Sequence, residues 1–414
     1  MSMNLLKNII SMVSLKGLEY LLALILLPYL VRVLGAEKYG SIIFMQSVVQ
    51  YFVICTDYGF NMITPRKIAI TSAKNEQAYI FSSTIICKSI LCIVCISIFL
   101  LLYNLTNLLA FIDIKLFFAV FFNVIGNVIF PIWFFQGIEK MVYITIFNIA
   151  ARIITVMVIF YCVSSPADYV FAALWQSMGS VISGAIALIY LFFKYNYLFI
   201  WPGYKTIKHN FIEGWDIFIS TVAINAYTAT NVVILRFFTN DIIVGYYGAA
   251  NKIIESIKGL LNPVSLAVFP YVSKKVQENK INGLKFLNRL LKGYVLFGIL
   301  MFVVLSFFAK DIVLLLLGNK YLESIILLKV MSVVPMLVAI SNVFGTHTLL
   351  AFGYTKIYSK ILICCACISV VSISVLANLF AGVGAAVTVS LTELCVVIFM
   401  YFVLSKLNLK IWRV

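Results

Sequence analysis

The sequence predicts an all-α polytopic membrane protein, because its composition and its apolar runs both differ from those of soluble domains. Hydrophobic residues make up 63% of the 414 residues and charged residues only 11%, against about 45 to 50% and about 25% in soluble domains. The mean hydropathy is +1.08. Each crossing of the hydrocarbon layer needs about 20 predominantly apolar residues, so the chain has room for about twelve transmembrane helices. No sizeable soluble domain is expected.

Apolar runs between charged and turn-forming residues predict two groups of six spans. The first group lies at about 9–31, 41–63, 78–102, 114–136, 141–163 and 169–193. The second group lies at about 215–238, 243–269, 290–309, 325–351, 357–378 and 381–405. A polar interval with Pro202 and Gly203 separates the groups. We therefore predict an N-terminal six-helix lobe at 1–196, a cytoplasmic linker at 197–214 and a C-terminal six-helix lobe at 215–414.

The net charge of +16 indicates membrane topology and not nucleic-acid binding, because the basic residues cluster in short loops between spans. Assigning the loops to alternate sides puts 19 basic residues on one side and 5 on the other. The positive-inside rule makes the basic side the cytoplasm. Both termini are expected there, and the first apolar helix is expected to be retained and not cleaved as a signal peptide.

The sequence gives no sign of catalysis or of a cofactor. All nine cysteines lie within apolar runs and are expected to be small buried hydrophobic residues, not metal ligands. No zinc-protease, nucleophile-elbow or phosphate-loop motif occurs, and the predicted outer loops are too short for an active-site domain. We therefore expect no metal, no cofactor and no enzymatic activity.

Basic residues inside apolar spans are the strongest functional signal of the chain. A cation in hydrocarbon costs about 2.5 to 3.5 kcal/mol on insertion scales, so such residues usually face a polar path. Because they outnumber the acidic residues within the spans, the path is predicted to carry an anion. The candidate anion-binding residues are Lys16, Arg32, Lys88, Arg152, Arg236, Lys252 and Lys258.

Acidic residues within the spans supply candidates for proton coupling, namely Glu19, Asp57 and Glu255. Lys16 and Glu19 share a helix face, and two interpretations stay open. They neutralise each other, or Lys16 meets an anion while Glu19 takes up a proton. Lys252, Glu255 and Lys258 repeat this spacing. Since one glutamate cannot neutralise two lysines, Lys252 is the preferred anion-binding residue, with an ion pair to Glu255 as the alternative.

The remaining candidates have competing explanations. Arg152 has no acidic residue three or four positions away, so its partner is expected on another helix or on a ligand. Asp57 is predicted to lie near the cytoplasmic end of its span, with Arg66 or Lys67 as possible ion-pair partners. Lys88 is a weaker anion-binding candidate, with an ion pair or a snorkelling side chain as the alternative.

Weak internal similarity supports two lobes of the same orientation. Arg32 and Arg236 occupy equivalent places in the two halves, and Gln136-Gly137 likewise resembles Phe352-Gly353. This arrangement is typical of parallel-repeat transporters. The arginines lie near helix ends and could bind lipid phosphates by snorkelling, but a repeated pair facing a cleft suits a pyrophosphate, which guanidinium groups bind bidentately.

Two motifs carry a family resemblance. They are Pro28-Tyr-Leu-Val-Arg-Val-Leu-Gly35 and Pro131-Ile-Trp133-Phe-Phe-Gln136-Gly137-Ile-Glu139. The segments 245–253 and 317–321 also fit, so the resemblance covers essentially the whole chain. The chain resembles the O-antigen flippases, or Wzx proteins, of the polysaccharide transporter family in the multidrug, oligosaccharidyl-lipid and polysaccharide exporter superfamily.

The resemblance implies two six-helix lobes arranged as a V around a central cavity. It also implies translocation of undecaprenyl-pyrophosphate-linked oligosaccharide repeat units across the Gram-negative inner membrane, from the cytoplasmic to the periplasmic leaflet, in O-antigen biosynthesis. Alternating access with proton or cation coupling is expected, as are contacts with the O-antigen polymerase and chain-length regulator. The alternatives are a multidrug or metabolite antiporter of the same fold and, as a third class, an integral-membrane polymerase or ligase.

Overall fold

The computed structural model describes residues 3–71, 73–105, 112–195, 199–409 and 411–413. Within these ranges all regular secondary structure is helical. The prediction of an all-α chain is confirmed for the described residues.

The described residues of the first half of the chain form seven α-helices. They are α1 (Met3–Asp57), α2 (Phe60–Ile70), α3 (Lys74–Leu105), α4 (Ile114–Ile129), α5 (Ile132–Gly137), α6 (Met141–Cys162) and α7 (Tyr169–Tyr195). A short 3-10 helix, Pro166–Asp168, precedes α7. The bounds of α3, α6 and α7 agree with predicted spans to within a few residues, because each is an uninterrupted apolar run.

In the second half, eight α-helices lie within the ranges that the structure describes. They are α8 (Tyr204–Phe238), α9 (Asp241–Gly259), α10 (Leu261–Glu278), α11 (Lys280–Phe307), α12 (Ala309–Leu316), α13 (Ser324–Met331), α14 (Val334–Asn342) and α15 (Thr355–Lys406). A π-helix, Val343–Leu350, follows α14, and 3-10 helices lie at Asn319–Tyr321 and Ile411–Arg413.

Two very long helices contain a break. Gly35 in α1 has φ 73° and ψ 172°, and Ala381 in α15 has φ 48° and ψ −127°, so neither residue is helical. Beyond the second break, a Cβ on Gly384 would overlap the carbonyl oxygen of Leu376. Residues eight apart are about 12 Å apart along a continuous helix. The chain therefore turns back at Ala381, and α15 is a helical hairpin.

Eight described segments are long and apolar enough to cross a membrane: Leu24–Ile70, Lys74–Leu105, Ile114–Gly137, Met141–Cys162, Pro166–Lys194, Lys280–Phe307, Ser324–Leu350 and Thr355–Lys406. The last has 52 residues, about 78 Å of helix against a hydrocarbon thickness of about 30 Å. Its hairpin supplies two predicted crossings within one segment. The total of twelve stays a prediction.

Close packing divides the chain into two compact units. The first unit comprises Met1–Ile43 and Thr230–Val414, and the second unit comprises Phe44–Ala229. The two boundaries lie within α1 and α8. The six-helix lobes at 1–196 and 215–414, with their linker, remain a prediction.

The core of the second unit is aromatic. Trp133, Phe134 and Phe135 have no exposed surface and pack with Ile68 and Phe147. In the same unit α4 and α7 approach closely, because a Cβ on Gly126 would overlap Ser180 and one on Gly184 would overlap Ile129. Small residues allow such close contact between membrane helices.

The core of the first unit joins α10, α11, α14, the π-helix and α15. His347 lies fully buried in the π-helix, 2.9 Å from the hydroxyl oxygen of Ser265. The arrangement anchors the π-helix to α10.

Candidate functional site

A close crossing of α1 and α9 positions the charged residues of the first unit. A Cβ added to Gly40 would overlap the carbonyl oxygen of Asp241, and one added to Gly245 would overlap that of Ala36. Helix backbones approach this closely only where side chains are missing. The crossing brings together the two segments whose sequences resemble each other, downstream of Arg32 and of Arg236.

Arg236 is held by an ion pair at this crossing. Its Nε donates to Oδ1 of Asp241, and its Nη1 donates to the carbonyl oxygen of Thr239 at 3.5 Å. The second carboxylate oxygen of Asp241 accepts a hydrogen bond from the Ser41 hydroxyl at 3.0 Å. About a third of the Arg236 side chain remains exposed. The guanidinium is therefore oriented by a carboxylate and still accessible.

Arg32, its counterpart in the repeat, makes a different contact. Its Nη2 donates to the carbonyl oxygen of Leu315 near the end of α12, at 2.5 Å. Gly318 lies beside the same side chain, with φ 85°. A backbone carbonyl carries no net charge, so this bond positions the guanidinium without neutralising it. The residue itself is exposed.

The three charged residues predicted to share a face of α9, here called the triad, are Lys252, Glu255 and Lys258, and two of them form an ion pair. Nζ of Lys258 lies 2.9 Å from Oε1 of Glu255, and the lysine side chain is 20% exposed. Lys252 is exposed on the same helix. With two lysines and one glutamate, the triad has a formal charge of +1. Glu255 thus forms an ion pair with Lys258, as the spacing of three residues allows.

In the second unit, Lys88 and Asp57 form a buried ion pair. Nζ of Lys88 lies 2.8 Å from Oδ1 of Asp57, and the lysine side chain is only 1% exposed. It also donates to Asn127, to the carbonyl oxygen at 3.2 Å and to Oδ1 at 3.4 Å. The paired alternative for Lys88 is therefore the one the structure shows. The prediction that Asp57 pairs with Arg66 or Lys67 is wrong, because α3 packs the nearer ammonium against it.

Lys67 binds a different carboxylate of the second unit. Its Nζ lies 2.5 Å from Oε2 of Glu213 and 3.2 Å from Oδ1 of Asn210. Both partners lie on α8, so this pair joins α2 to α8. The spacing in the sequence, 146 residues, gave no signal for it.

Three further candidates are placed less fully. Arg152 lies half-buried on α6 of the second unit, and the expectation of a partner on another helix or on a ligand stays a prediction. Lys16 and Glu19 lie on α1, but their side chains fall outside the described part of the structure. Their pairing and their roles stay predictions.

The residues of the first family motif shape α1. Pro28 lies inside the helix, and Gly35 forms its break with a positive φ that favours glycine. Leu30, Val31 and Leu34 between them are buried. The motif therefore builds the bend that leads into the close crossing at Gly40.

The second motif forms a tightly packed turn and short helix. Pro131 precedes α5, Trp133 is fully buried, and Gly137 packs on α2, where its Cβ would lie 2.7 Å from Cβ of Ile68. Gln136 is half-buried and Glu139 is exposed. These positions make the motif chiefly a packing element of the second unit.

The end of α5 matches the end of the π-helix. The amide of Lys140 donates to the carbonyl of Phe135 and that of Tyr354 to Leu349, both at 2.8 Å. The residue before each donor has a positive φ, 59° at Glu139 and 84° at Gly353. The internal repeat thus aligns Glu139, and not Gly137, with Gly353.

Some residues of the site carried too little sequence signal to be predicted. Asp241 lies five positions after Arg236, and five is not a spacing that pairs side chains on a helix. The two residues meet because a turn joins α8 to α9. Asn61 and Asn127 orient the Asp57 and Lys88 pair, but polar amides within spans are not distinctive. Within the described residues, no cluster of three potential metal ligands occurs.

Comparisons with known proteins identify the family. Residues 5–276 match the family model described as polysaccharide biosynthesis protein. A protein of Escherichia coli (strain K12), provisionally named an O-antigen transporter, is 32% identical over 403 residues, 94% of each chain. This chain belongs to the polysaccharide biosynthesis protein family. A Shigella dysenteriae member of the same provisional name is 30% identical over 401 residues, 95% of this chain and 98% of that protein.

Two solved structures share the fold of this family member. The lipid II flippase MurJ in an inward closed conformation has a TM-score of 0.78 at 15% identity, covering 98% of this chain and 90% of MurJ. An inward-facing multidrug resistance MATE family transporter of the MOP superfamily has a TM-score of 0.65 at 13% identity, covering 97% and 96%. At such identities the likeness establishes the fold, a polytopic transporter fold.

The relatives also decide the class of activity. Both curated relatives are named as transporters. This member of the polysaccharide biosynthesis protein family is therefore a multi-pass membrane transporter and not an enzyme. The polymerase or ligase alternative is disfavoured by these names.

Proposed function

We propose that this transporter moves undecaprenyl-pyrophosphate-linked oligosaccharide repeat units from the cytoplasmic to the periplasmic leaflet of the bacterial inner membrane, in O-antigen biosynthesis. The family match and the names of the curated relatives support the polysaccharide part of this proposal. The flippase fold of a structural neighbour supports the lipid-linked part. Both termini are proposed to lie in the cytoplasm, as the charge bias between loops indicates.

The observation that carries the proposal is the pair of lysines on α9. Lys258 already binds Glu255, yet Lys252 adds a second ammonium to the same helix and is exposed. Arg32 adds a guanidinium bound only to a backbone carbonyl in the contact described above. Cations kept in apolar helices are costly and usually mark a path for ions or substrate. A pyrophosphate is an anion suited to such a path.

The cargo sets a physical problem that fixed cations solve. A polar headgroup must cross hydrocarbon while its polyprenyl tail stays in lipid, and an unsolvated phosphate is very costly there. We propose that Arg32, Arg236 and Lys252 of the first unit replace water around the pyrophosphate, while Lys16 and Lys258 contribute to the field. Two six-helix lobes that rock around the site would expose it to each side in turn.

Proton or cation coupling is proposed to reset the cycle. Glu19 and Glu255 are the suitable carboxylates, because each lies near lysines on the same helix face. Asp57 is less suitable, since its lysine partner Lys88 is buried, whereas the paired Glu255 side chain is 51% exposed. The O-antigen polymerase and chain-length regulator are proposed as partners, because they use the translocated repeat unit.

The test is surface polysaccharide in a host strain that lacks the gene for this chain. The strain is complemented with wild type, Lys252→Ala or Lys274→Ala, and membrane levels of each protein are compared. Lys274 is a matched control, because its side chain is 79% exposed and lies at the far end of α10. We expect deletion to abolish the polymer, Lys252→Ala to reduce it at least about tenfold, a barrier increase of about 1.4 kcal/mol, and Lys274→Ala to restore it.

Two outcomes would change the proposal. Normal polymer in the deletion strain would favour the multidrug or metabolite antiporter, which shares this fold. Normal polymer with Lys252→Ala alone would keep the cargo but remove this lysine from the pyrophosphate site. Transfer of a fluorescent lipid-linked oligosaccharide across proteoliposomes then separates slow transport from poor supply of substrate.

A further inference from the structure

The ammonium of Lys88 is enclosed by oxygen atoms inside the second unit. The residue has no exposed surface. Its Nζ lies 2.8 Å from Oδ1 of Asp57, 3.2 Å from the carbonyl oxygen of Asn127 and 3.4 Å from Oδ1 of Asn127. A carboxylate, a backbone carbonyl and a side-chain amide are the oxygen types that hard metal cations bind in proteins.

The backbone carbonyl of Asn127 is available because of Pro131. In an α-helix this carbonyl would accept the amide hydrogen four residues later. That residue is Pro131, which has no amide hydrogen. The helix α4 ends at Ile129, and the carbonyl of Asn127 binds Lys88 instead. The proline of the second family motif thus creates one of the cation ligands.

Two helix ends add negative potential at the same place. Asp57 is the last residue of α1, and Asn127 lies in the last turn of α4. The carboxyl end of a helix carries a partial negative charge that favours cations. Half-helix ends of this kind hold coupling cations in secondary transporters. The surroundings are therefore those of a metal-cation site, except that a lysine ammonium occupies it.

The carboxylate is also held in a fixed orientation. Oδ2 of Asp57 accepts a hydrogen bond at 2.9 Å from Nδ2 of Asn61, in the first turn of α2. Only Oδ1 faces the ammonium. Asn61 thus leaves a single carboxylate oxygen for the occupant, which suits a monovalent cation better than a divalent one.

We propose that Asp57, Asn61 and Asn127 form a monovalent-cation site whose resident occupant is the chain's own Lys88 ammonium. The tethered cation cannot leave the protein, so this site does not exchange with sodium or lithium in the wild type. Removing the ammonium turns it into a binding site for a small alkali cation. The inference concerns this site alone and does not depend on the identity of the cargo.

The test is thermal unfolding of the full-length protein in detergent at pH 8, in sodium, lithium or choline chloride of equal concentration. Lys88→Met keeps the apolar stem but removes the ammonium. We expect sodium or lithium to raise its unfolding temperature by about 3 °C or more over choline, since a bound cation stabilises the folded state. Wild type should unfold at the same temperature in all three salts.

Two controls separate a cation site from an ordinary ion pair. In Lys88→Met with Asp57→Asn the carboxylate is absent, and the selective effect of sodium or lithium should disappear. Lys67→Met removes the lysine of another carboxylate pair of the second unit, whose Nζ lies 2.5 Å from Oε2 of Glu213 in a partly exposed contact. It should lose stability equally in all salts, because this contact is open to solvent and no backbone carbonyl is known to complete it among the contacts described above.

Two results would overturn the proposal. One is a folded Lys88→Met protein that sodium and lithium stabilise no more than choline does. The other result does not require Lys88→Met to fold. If sodium or lithium selectively stabilises wild type and Asp57→Asn abolishes that effect, an external ion already binds at the site. The second comparison keeps the idea testable if Lys88→Met cannot be purified. Both results are unfolding temperatures and do not depend on transport. An incorrect cargo assignment would therefore produce neither of them.

Discussion

Gly40 in α1 and Gly245 in α9 lie at a helix crossing that leaves no room for a Cβ at either position. A Cβ on Gly40 would overlap the carbonyl oxygen of Asp241 and one on Gly245 that of Ala36. Both obstacles are backbone atoms, which cannot rotate out of the way. The crossing therefore fixes the place of Arg236 and its partner Asp241 relative to α1.

Gly245→Ala is expected to destabilise the first unit by at least about 1 to 3 kcal/mol, because the two backbones must separate. Thermal unfolding in detergent measures the loss. Gly293→Ala is the matched control, since a Cβ there meets no atom within 4 Å in the described structure. It should be neutral or slightly stabilising in a helix. Equal stability of both variants would mean that the helices can move apart freely.

The apolar spans could be predicted from sequence because each is determined by its own local composition. The predicted spans 78–102 and 141–163 correspond to Lys74–Leu105 and Met141–Cys162. Composition over 20 residues decides such a helix without reference to the rest of the chain. The break at Gly35 within the first family motif is similarly local.

The charge partners could not be predicted, because they depend on how helices rotate against each other. Lys88 and Asp57 lie 31 residues apart on different helices. Arg236 and Asp241 are separated by a turn, so no helical spacing joins them. Lys258 and Glu255, three apart on one helix, were by contrast predictable from spacing.

Arg236 and Asp241 offer a test of whether the arginine acts on substrate as well as on its partner. Asp241→Asn and Arg236→Gln each break the same ion pair. We expect similar losses of thermal stability but a larger loss of surface polysaccharide from Arg236→Gln, which also removes a phosphate donor. Equal losses of polysaccharide would limit Arg236 to a structural role. The double variant measures the coupling between the two side chains, about 0.5 to 3 kcal/mol for residues in contact.

Asp113 should stabilise the start of α4 in a pH-dependent way. Its Oδ1 accepts the amides of Lys115 and Leu116, at 3.0 and 3.2 Å, and its Oδ2 accepts the Tyr169 hydroxyl at 2.5 Å. Partial burial alone would raise the pKa of Asp113, but the Tyr169 hydroxyl and the two amides together lower it below its ordinary value of 3.8. The ionised carboxylate is thus favoured in the folded state.

The sign of the pH effect follows from that lowered pKa. The stabilisation is complete above the ordinary value and is lost as the pH falls through the lowered one. Asp113→Ala should cost about 1 kcal/mol near pH 7, typical for loss of an N-cap. The difference from wild type should narrow below about pH 4. An unfolding difference that is constant between pH 7 and pH 3 would contradict the assignment.

Trp133 should act through packing and not through contact with cargo. It is fully buried beside Phe81 and Phe134, with ring centroids 5.4 and 6.3 Å away. Trp133→Ala is expected to cost about 3 to 5 kcal/mol, the range for large aromatic truncations in a core. Trp201→Ala, at a tryptophan that is 73% exposed, is the control. Normal unfolding of Trp133→Ala with loss of transport would point to a direct functional role instead.

Glu139 should tolerate glycine, although it belongs to the second family motif. Its φ of 59° is left-handed, and the equivalent residue of the repeat is Gly353, with φ 84°. Non-glycine residues in this conformation cost about 1 to 2 kcal/mol. We therefore expect Glu139→Gly to be stabilising by up to about 1 kcal/mol and to keep transport. Gly353→Ala, whose Cβ meets no atom within 4 Å, should be destabilised by a similar amount through backbone strain alone. If Glu139→Gly unfolds normally but loses surface polysaccharide, and Glu139→Gln does so too, the carboxylate itself takes part in transport and the motif is more than a packing element.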